Sequence, residues 1–183
     1  ESVRGASLDE IIVTARFREE NLQTTPVAIT AVPGAELAAM GLTNMSEMGR
    51  AVPNAYFRQG ASTWGRSNQV FIRGVGQGDF SFTQEPRTAT YIDDVYFASV
   101  FGSVFDLLDV QQVEVLRGPQ GTLFGRNAMG GAIRMVSSKP EGGGTGNLEA
   151  TFGDFDRVDL RGSFDQTLIE DKLFLRVSGV SKH

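Results

Sequence analysis

The sequence predicts an α+β domain with a small sheet, followed by long strands that pair antiparallel. Residues 27–137 are predicted to form one strand, two helices and then several further strands, an order typical of α+β domains. Five glycines between Gly118 and Gly131 predict close backbone packing or positive φ angles. From residue 147 onward, apolar and polar residues alternate with the period of two that is typical of strands.

Composition excludes several classes of protein. The 183 residues are 40% hydrophobic and 21% charged, which excludes bulk disorder and a membrane-helical protein. The net charge of −5 argues against a nucleic-acid partner. Cysteine is absent and the single histidine is His183, so the sequence offers no thiol nucleophile, no Cys/His metal site and no Ser-His-Asp triad. We therefore predict neither an enzyme nor a bound cofactor or metal.

An acidic pair and a short β-branched run lie near the N-terminus, in the sequence Asp9-Glu10-Ile11-Ile12-Val13-Thr14-Ala15. On pattern alone, this run is either an ordinary first strand or an extended segment that a partner protein adds to its own sheet. Residues 16–24 are polar and charged, so they predict a flexible tether.

The next segment predicts a strand and two short helices. Residues 27–32 alternate as a strand does. Pro33 is placed to begin a helix that Gly41 ends. Thr43 is the predicted N-cap of a second short helix, which ends before Pro53. Both helices are expected to cover the sheet.

Strands and loops are predicted to alternate from residue 54 to residue 137. The predicted loops are 54–68 and 76–86. The predicted strands are 69–74, two runs within 88–97 that flank an Asp93-Asp94 turn, 110–116 and 133–137.

The glycine-rich stretch between the last two of these strands first suggests a phosphate-binding loop. It contains neither a Gly-x-x-x-x-Gly-Lys-Ser/Thr pattern nor a Gly-x-Gly-x-x-Gly that opens a helix. Its glycines are therefore expected to be structural, and Arg117 and Arg126 on it need another role.

A Gly-rich break at residues 141–146 predicts a linker, and the character of the chain changes after it. Residues 157–167 are apolar on one face and charged on the other, and a third strand begins after the turn at 170–172. Such segments suit either a soluble hairpin with one wet face or strands that cross a bilayer, for which about 9–11 residues are needed. Three strands cannot close a barrel, so the second interpretation requires a longer protein.

Several short motifs lie between residues 72 and 140. In chain order they are Ile72-Arg73-Gly74, Tyr91-Ile92-Asp93-Asp94-Val95-Tyr96, Val113 to Gly125, Gly130-Gly131-Ala132-Ile133 and Ser138-Lys139-Pro140. In order and spacing they resemble the plug domain of TonB-dependent outer-membrane receptors. The segment from Asp9 to Ala15 is similar to the TonB box of that family. The resemblance covers nearly the whole chain.

The resemblance implies an α+β plug domain with a small mixed sheet inside a β-barrel, which has 22 strands in the family. The implied organisation is an N-terminal segment 1–24 with the box, a plug 25–140, a linker 141–146 and the first three barrel strands 147–183. The implied location is the outer membrane of a Gram-negative cell, with the plug facing the periplasm.

The implied function is TonB-dependent uptake of a scarce nutrient, with the plug gating the barrel. A ferric siderophore is the first expectation, and cobalamin, haem or a glycan are the others. The implied partners are TonB with its ExbB and ExbD proteins, outer-membrane lipid, the nutrient and the rest of the barrel, but no nucleic acid.

The resemblance also suggests residue roles. Arg73, Glu114 and Arg117 correspond to charged residues that latch the plug to the barrel wall, with Arg73 as the expected partner of Glu114. The alternative is an ion pair internal to the plug. The candidates for outward-facing ligand contacts are Trp64, Arg66, Gln77, Asp79, Phe82 and Phe101.

Two other classes of function remain open on the sequence alone. One is a soluble α+β binding module that ends in a β-hairpin with all apolar faces covered. The other is a hydrolase that uses Asp93, Asp94 or Asp109, although adjacent carboxylates are more typical of turns.

Overall fold

The computed structural model describes residues 11–14, 16–62, 65–79, 84–100 and 102–182, and the side chains of residues 61, 62 and 65 are not among those described. Within these residues the strands are β1 Ile12–Val13, β2 Glu20–Asn21, β3 Ile29–Pro33, β4 Ala55–Ser62, β5 Gly65–Ile72, β6 Val75–Gly76, β7 Thr88–Ile92, β8 Val95–Phe97, β9 Val110–Arg117, β10 Gly131–Ser137, β11 Gly146–Phe152, β12 Val158–Ile169 and β13 Leu173–Lys182. The helices are α1 Gly34–Ala39, a 3₁₀ helix Met45–Arg50 and α2 Gly121–Phe124. None of these helices is long and apolar enough to cross a membrane.

A five-stranded sheet in the order β3-β9-β10-β7-β8 forms the centre of the fold. β10 runs parallel to β7 and the other neighbouring pairs are antiparallel, so the predicted mixed sheet is confirmed. β9 and β10 are central and bury most of their residues, whereas β3 and β8 are edge strands. The predicted turn joins β7 to β8, with positive φ at both Asp93 and Asp94.

Both faces of this sheet are covered. Because side chains alternate along a strand, Val113 and Val115 of β9 point to one face while Leu116 points to the other. The first face packs against the helices, with Met45 and Met48 fully buried as ordinary core residues. The second face is a smaller aromatic cluster around α2.

The helix boundaries follow the predicted signals with one correction. Pro33 precedes α1 as its N-cap, and Gly41 follows it with φ +66°. The N-cap of the 3₁₀ helix is Asn44 and not Thr43, because the Asn44 side chain accepts a hydrogen bond from Ser46 N at 3.0 Å. Glu47 completes the capping box from the other side.

The prediction of a loop over residues 54–68 is wrong. β4 and β5 pair antiparallel from Ala55 opposite Ile72 to Ser62 opposite Gly65, which makes a long hairpin. The segment has few β-branched residues, so local propensity did not reveal it. Tertiary packing holds it instead, because Phe57 is buried beside Gly49 of the 3₁₀ helix.

Gly131, the last residue of the glycine-rich stretch, is required by its surroundings. A methyl group there would come within 2.1 Å of the Leu116 carbonyl oxygen, and its φ is +151°. Gly121 in α2 differs, because a methyl group there would meet no atom within 4 Å. The expectation that these glycines are structural holds at Gly131 but not at every position.

The strands β11-β12-β13 form a separate antiparallel sheet, called here the C-terminal sheet. On β12 the predicted alternation is present, with Leu160 and Phe164 exposed while Asp159 and Asp165 are buried. The exposed apolar side chains of the sheet include Leu148, Phe152, Leu160, Phe164, Leu173, Leu175 and Val177. The charged face is therefore turned toward the rest of the chain, and within the described residues the apolar face is exposed.

Candidate functional site

A cluster of four residues, called here the docking cluster, joins the N-terminal segment to the centre of the sheet. Its members are Thr14, Gln112, Glu114 and Arg134. Glu114 Oε1 accepts hydrogen bonds from Thr14 N at 2.7 Å and from Gln112 Nε2 at 2.7 Å. Glu114 Oε2 accepts one from Arg134 Nη1 at 3.0 Å. Arg134 Nη1 also donates to Thr14 Oγ1 at 3.0 Å.

The docking cluster is buried, and strand register explains its assembly. Glu114 and Arg134 are directly opposite each other on β9 and β10, so their side chains share one face. Glu114 is 0% exposed and Arg134 4% exposed. Asp94 of the turn after β7 is a second ionic partner of Arg134. Because a buried unpaired charge is costly, each charge depends on the other.

The partner of Glu114 is therefore Arg134, and the prediction of Arg73 as that partner is wrong. Arg73 is exposed, with φ +53°, in the turn after β5. Its guanidinium lies beside Gly118. The internal ion pair left open as an alternative is confirmed for Glu114. Arg134 was missed, although a lone charge in an apolar strand marks it as clearly as it marks Glu114.

Arg117 also lies apart from Glu114. It is the last residue of the same strand, β9, but it points to the opposite face, as the alternation predicts. Its Nη1 donates to the Pro53 carbonyl oxygen at 3.4 Å, while its buried Nε has no hydrogen-bond partner in the structure. Of the three predicted latch residues, Arg73 and Arg117 thus lie near each other, beside Gly118 and residues 53–54, and Glu114 lies apart from both.

The N-terminal segment is held by its backbone as well as its side chains. β1 pairs with β2 over two residues only. Ile12 O accepts a hydrogen bond from Gln112 Nε2 at 3.1 Å, and Val13 is almost fully buried. Of the predicted box, Asp9, Glu10 and Ala15 lie outside the described residues.

Aromatic contacts continue this attachment beyond the predicted box. Phe17 lies 5.4 Å from the Phe124 ring, between ring centroids. The Arg134 guanidinium lies 5.4 Å from the centre of the Phe17 ring, a cation–π distance. Arg134 therefore contacts the N-terminal segment at two points, Thr14 and Phe17.

The predicted ligand-facing residues fall into three groups. Trp64, Phe82 and Phe101 lie outside the described residues, and Arg66 is exposed at the base of the β4–β5 hairpin tip. Gln77 is buried, and its Nε2 donates to Gln84 Oε1 at 2.5 Å. Gln84 Nε2 in turn donates to Asp79 Oδ2 at 3.1 Å. The Gln84 amide therefore links the buried Gln77 to the exposed Asp79.

A second cluster, called here the anchor cluster, was missed by the sequence analysis. It consists of Asp109, Asp165 and Arg176. Arg176 binds Asp109 through Nε at 2.7 Å to Oδ2 and through Nη2 to Oδ1, and it reaches Asp165 Oδ2 from Nη1 at 3.2 Å. Asp109 precedes β9, whereas the other two residues are opposite each other on β12 and β13. The cluster therefore fixes the five-stranded sheet to the C-terminal sheet.

The Arg176 guanidinium holds the pKa of Asp109 below its ordinary value, chiefly through their hydrogen bonds. Lys182 near the end of β13 pairs in the same way with Asp106. A cavity of about 500 Å³ lies next to these pairs, between α1, residues 107–111 and the C-terminal sheet. The contact between the two sheets is thus ionic and borders a cavity.

The aspartates considered for hydrolysis have partners in the structure, and no metal-binding group is found in the described residues. Within these ranges no three acidic or histidine side chains lie together as metal ligands would. Asp93 accepts hydrogen bonds from Ser137 N and Oγ, at 2.8 and 2.6 Å, as part of a turn. Asp109 is engaged by Arg176. The aspartates considered for hydrolysis therefore have structural partners.

Comparison with known proteins identifies the family to which this chain belongs. The family model described as the TonB-dependent Receptor Plug Domain matches residues 21–132, which is more than half of the chain. This chain belongs to the TonB-dependent receptor family, and the resemblance inferred from the motifs is confirmed. Members of this family are outer-membrane transport receptors and not enzymes.

Three individual receptors are similar to this chain. The chain is 30% identical over 143 residues to the pesticin receptor of Yersinia pestis, covering 76% of this chain and 20% of that protein. The structure of the ferric yersiniabactin uptake receptor FyuA from Yersinia pestis matches with a TM-score of 0.75 at 28% identity, over 84% of this chain and 24% of that chain. The closed form of the ferric-catecholate import receptor Fiu from E. coli K12 matches with a TM-score of 0.69 at 26% identity, over 88% and 21%. This chain therefore spans about a fifth of the length of the curated relatives it matches.

Proposed function

We propose that this chain is the plug and first wall strands of a receptor that takes up a ferric siderophore across the outer membrane, driven by TonB. The observation that carries the proposal is the docking cluster. Through Thr14, a pull on the N-terminal segment is transmitted directly to a buried ion pair in the two central strands of the plug sheet. A plug that blocks a barrel needs such a connection between the point of force and its core.

The substrate class is proposed from the relatives. The ferric yersiniabactin receptor and the ferric-catecholate receptor are both named for iron chelates. The test is uptake of radioactive iron, supplied as a panel of purified ferric siderophores, by cells that carry the full-length receptor with or without TonB. Uptake of at least one chelate that requires TonB supports the proposal. Uptake of cobalamin, haem or an oligosaccharide instead would replace the substrate class.

The C-terminal sheet is proposed as the beginning of the barrel wall, after a plug at 25–140 and a linker at 141–146. Its exposed apolar face suits lipid, and its charged face suits contact with a plug inside the lumen. A soluble module would need that apolar face covered. In this arrangement the plug side that receives the N-terminal segment faces the periplasm.

The predicted TonB box, Asp9 to Ala15, is proposed to add a strand to a sheet of TonB, since main-chain hydrogen bonds supply affinity in that mode of recognition. Val13→Pro removes one backbone donor. We expect this variant to bind ligand normally and to lose energised uptake. Val13→Ala, which keeps the donor, is the matched control. Normal uptake by the proline variant would overturn the assignment.

Arg73 and Arg117 are retained as proposed contacts to barrel carboxylates that lie outside this chain. Arg73 is exposed, and Arg117 has a buried Nε without a partner in the structure, so each has unused donors. Glu114 takes a different role in this proposal, because its acceptors are occupied within the plug. Charge reversal at Arg73 should therefore weaken the seating of the plug without disturbing β9.

A further inference from the structure

The Gly-rich segment 141–146 is fastened to the wall strands and is not a free linker. The Asp165 carboxylate accepts hydrogen bonds from Glu141 N and Gly142 N, each at 2.8 Å. In return, Asp165 N donates to the Thr145 carbonyl oxygen at 2.8 Å. Thr167 Oγ1 donates to the Gly142 carbonyl oxygen at 2.7 Å. Backbone groups of the segment are thus paired with a single strand.

Packing at Gly142 confirms how close this contact is. Its φ is +75°, and a methyl group there would come within 2.3 Å of both Thr167 Oγ1 and Phe174 Cδ1. Only a glycine fits between the segment and the strands. The glycine content that suggested a flexible break instead allows a tight approach.

The same carboxylate is tied to the plug through Arg176. Asp165 shares this guanidinium with Asp109, and the Asp109 backbone oxygen accepts a hydrogen bond from Ser138 N at 2.9 Å. The loop before β9, the exit from β10 and the wall therefore form one closed network of charge-assisted hydrogen bonds. Its members are largely buried, with Asp165 only 2% exposed.

The N-terminal strands of the plug are held differently. β3 is an edge strand whose one neighbour in the sheet is β9, and β1 pairs over two residues with β2. A pull that enters from the N-terminal side meets β1 and then β3 before it meets any residue of the anchor cluster. An edge strand can separate from the sheet while the central strands stay paired.

We propose that Asp109, Asp165 and Arg176 are positioning residues that keep the plug fixed to the first wall strands during transport, so that opening proceeds by separation of β3 from β9. The proposal rests on the proposed uptake function. It makes the segment 138–146 part of the wall and not a hinge. The moving part of the plug is then its N-terminal portion.

Amide exchange tests the anchor independently of transport. In the full-length receptor, Glu141 N and Gly142 N should exchange about 10- to 100-fold more slowly than in an unstructured peptide, the range for a hydrogen bond to a charged group. Asp165→Leu should abolish that protection. Asp159→Leu, the same change on the same face of β12, should leave it intact, because the carboxylate of Asp159 is bonded to Arg157. Exchange of both amides at the free rate in the unmodified protein would overturn the proposal.

Cross-linking then tests the direction of opening, and the absence of cysteine in this sequence makes it specific. Ser138 and Ser178 both lie close enough to Asp109 to help lower its pKa, so Ser138→Cys with Ser178→Cys can be joined by a short bis-thiol reagent. Thr30 and Val115 are paired across β3 and β9, so cysteines there can form a disulfide. Any cysteines elsewhere in the receptor are replaced by serine.

The first cross-link should leave TonB-dependent iron uptake largely unchanged, and the second should reduce it to the level without TonB. Each variant is compared with its own untreated form. Loss of uptake on joining Ser138→Cys to Ser178→Cys, or full uptake with β3 joined to β9, overturns the proposal. If no untreated form transports any chelate, the proposed function fails, and the amide exchange still decides whether the anchor exists.

Discussion

Replacing Glu114 with glutamine tests whether the docking cluster stabilises the centre of the plug. The change keeps the size of the side chain but removes its charge and turns an amide donor toward Arg134 Nη1, which is also a donor. Breaking one side of a buried ion pair costs about 3–5 kcal/mol. Because Arg134 keeps Asp94 as a partner, we expect the lower end of that range. The β9–β10 pair should then open more often.

The assay is native-state amide exchange of residues 113–116 in the full-length receptor, followed by mass spectrometry. A loss of about 3 kcal/mol corresponds to exchange faster by a factor of roughly 150. Glu149→Gln makes the same chemical change at an exposed site on β11 and should have no effect on these amides. Arg73→Gln should also have none, since its side chain does not contact Glu114.

Two outcomes would contradict the role of Glu114 in the docking cluster. If Glu114→Gln changes the exchange of residues 113–116 by less than a factor of about ten, the pair contributes less than about 1.4 kcal/mol and is not a buried ionic lock. If Arg73→Gln has the larger effect, the original assignment of Arg73 as the partner of Glu114 is restored.

Three further predictions concern other parts of the fold. Gly131→Ala should destabilise β9 and β10 by about 1–3 kcal/mol, because it forces a methyl group onto a backbone oxygen, whereas Gly121→Ala should change exchange there little. Asn44→Ala should cost the 3₁₀ helix about 1 kcal/mol in exchange measurements, and Thr43→Ala less. The lowered pKa of Asp109 means that its ion pair contributes fully above its unfolded pKa of about 3.9 and is lost as the pH falls through the lower folded value. The difference in Tm between the unmodified receptor and Asp109→Asn should therefore be constant at higher pH and shrink below about pH 4.

The sequence correctly predicts the structural elements that are determined by residues close to one another in the chain. The Asp93-Asp94 turn, the start of α1 after Pro33 and the alternation on β12 all depend on neighbours in sequence, and the structure confirms them. The β4–β5 hairpin could not be found in this way, because its stability comes from Phe57 packing on a helix. The sequence locates the N-cap of the 3₁₀ helix only to within one residue. Thr43 and Asn44 are both suitable N-cap residues, and only the hydrogen-bond geometry identifies Asn44 as the cap.

In the docking and anchor clusters, too, the contacts between residues far apart in sequence could not be predicted. Glu114 could be recognised as a buried charge in an apolar strand, but its partner required the register of β9 and β10. Asp109 and Arg176 are 67 residues apart. Each is flanked by apolar residues, but nothing in either run identifies the other as its partner. No periodicity predicts that they meet, because the contact exists only where the two sheets pack together.

The docking and anchor clusters use the same chemistry but carry load differently. In each, a buried carboxylate is paired with an arginine and accepts backbone hydrogen bonds from a neighbouring segment, one at Glu114 and two at Asp165. A force applied at the N-terminal side reaches Thr14 first, so the bonds of the docking cluster can break one after another. At the anchor cluster, the bonds to Asp109 and to the segment at Glu141 and Gly142 connect to the wall side by side, so they share the load. In the proposed uptake mechanism, sequential rupture at one site and shared load at the other let a single pull release the N-terminal segment while the plug stays attached to the wall.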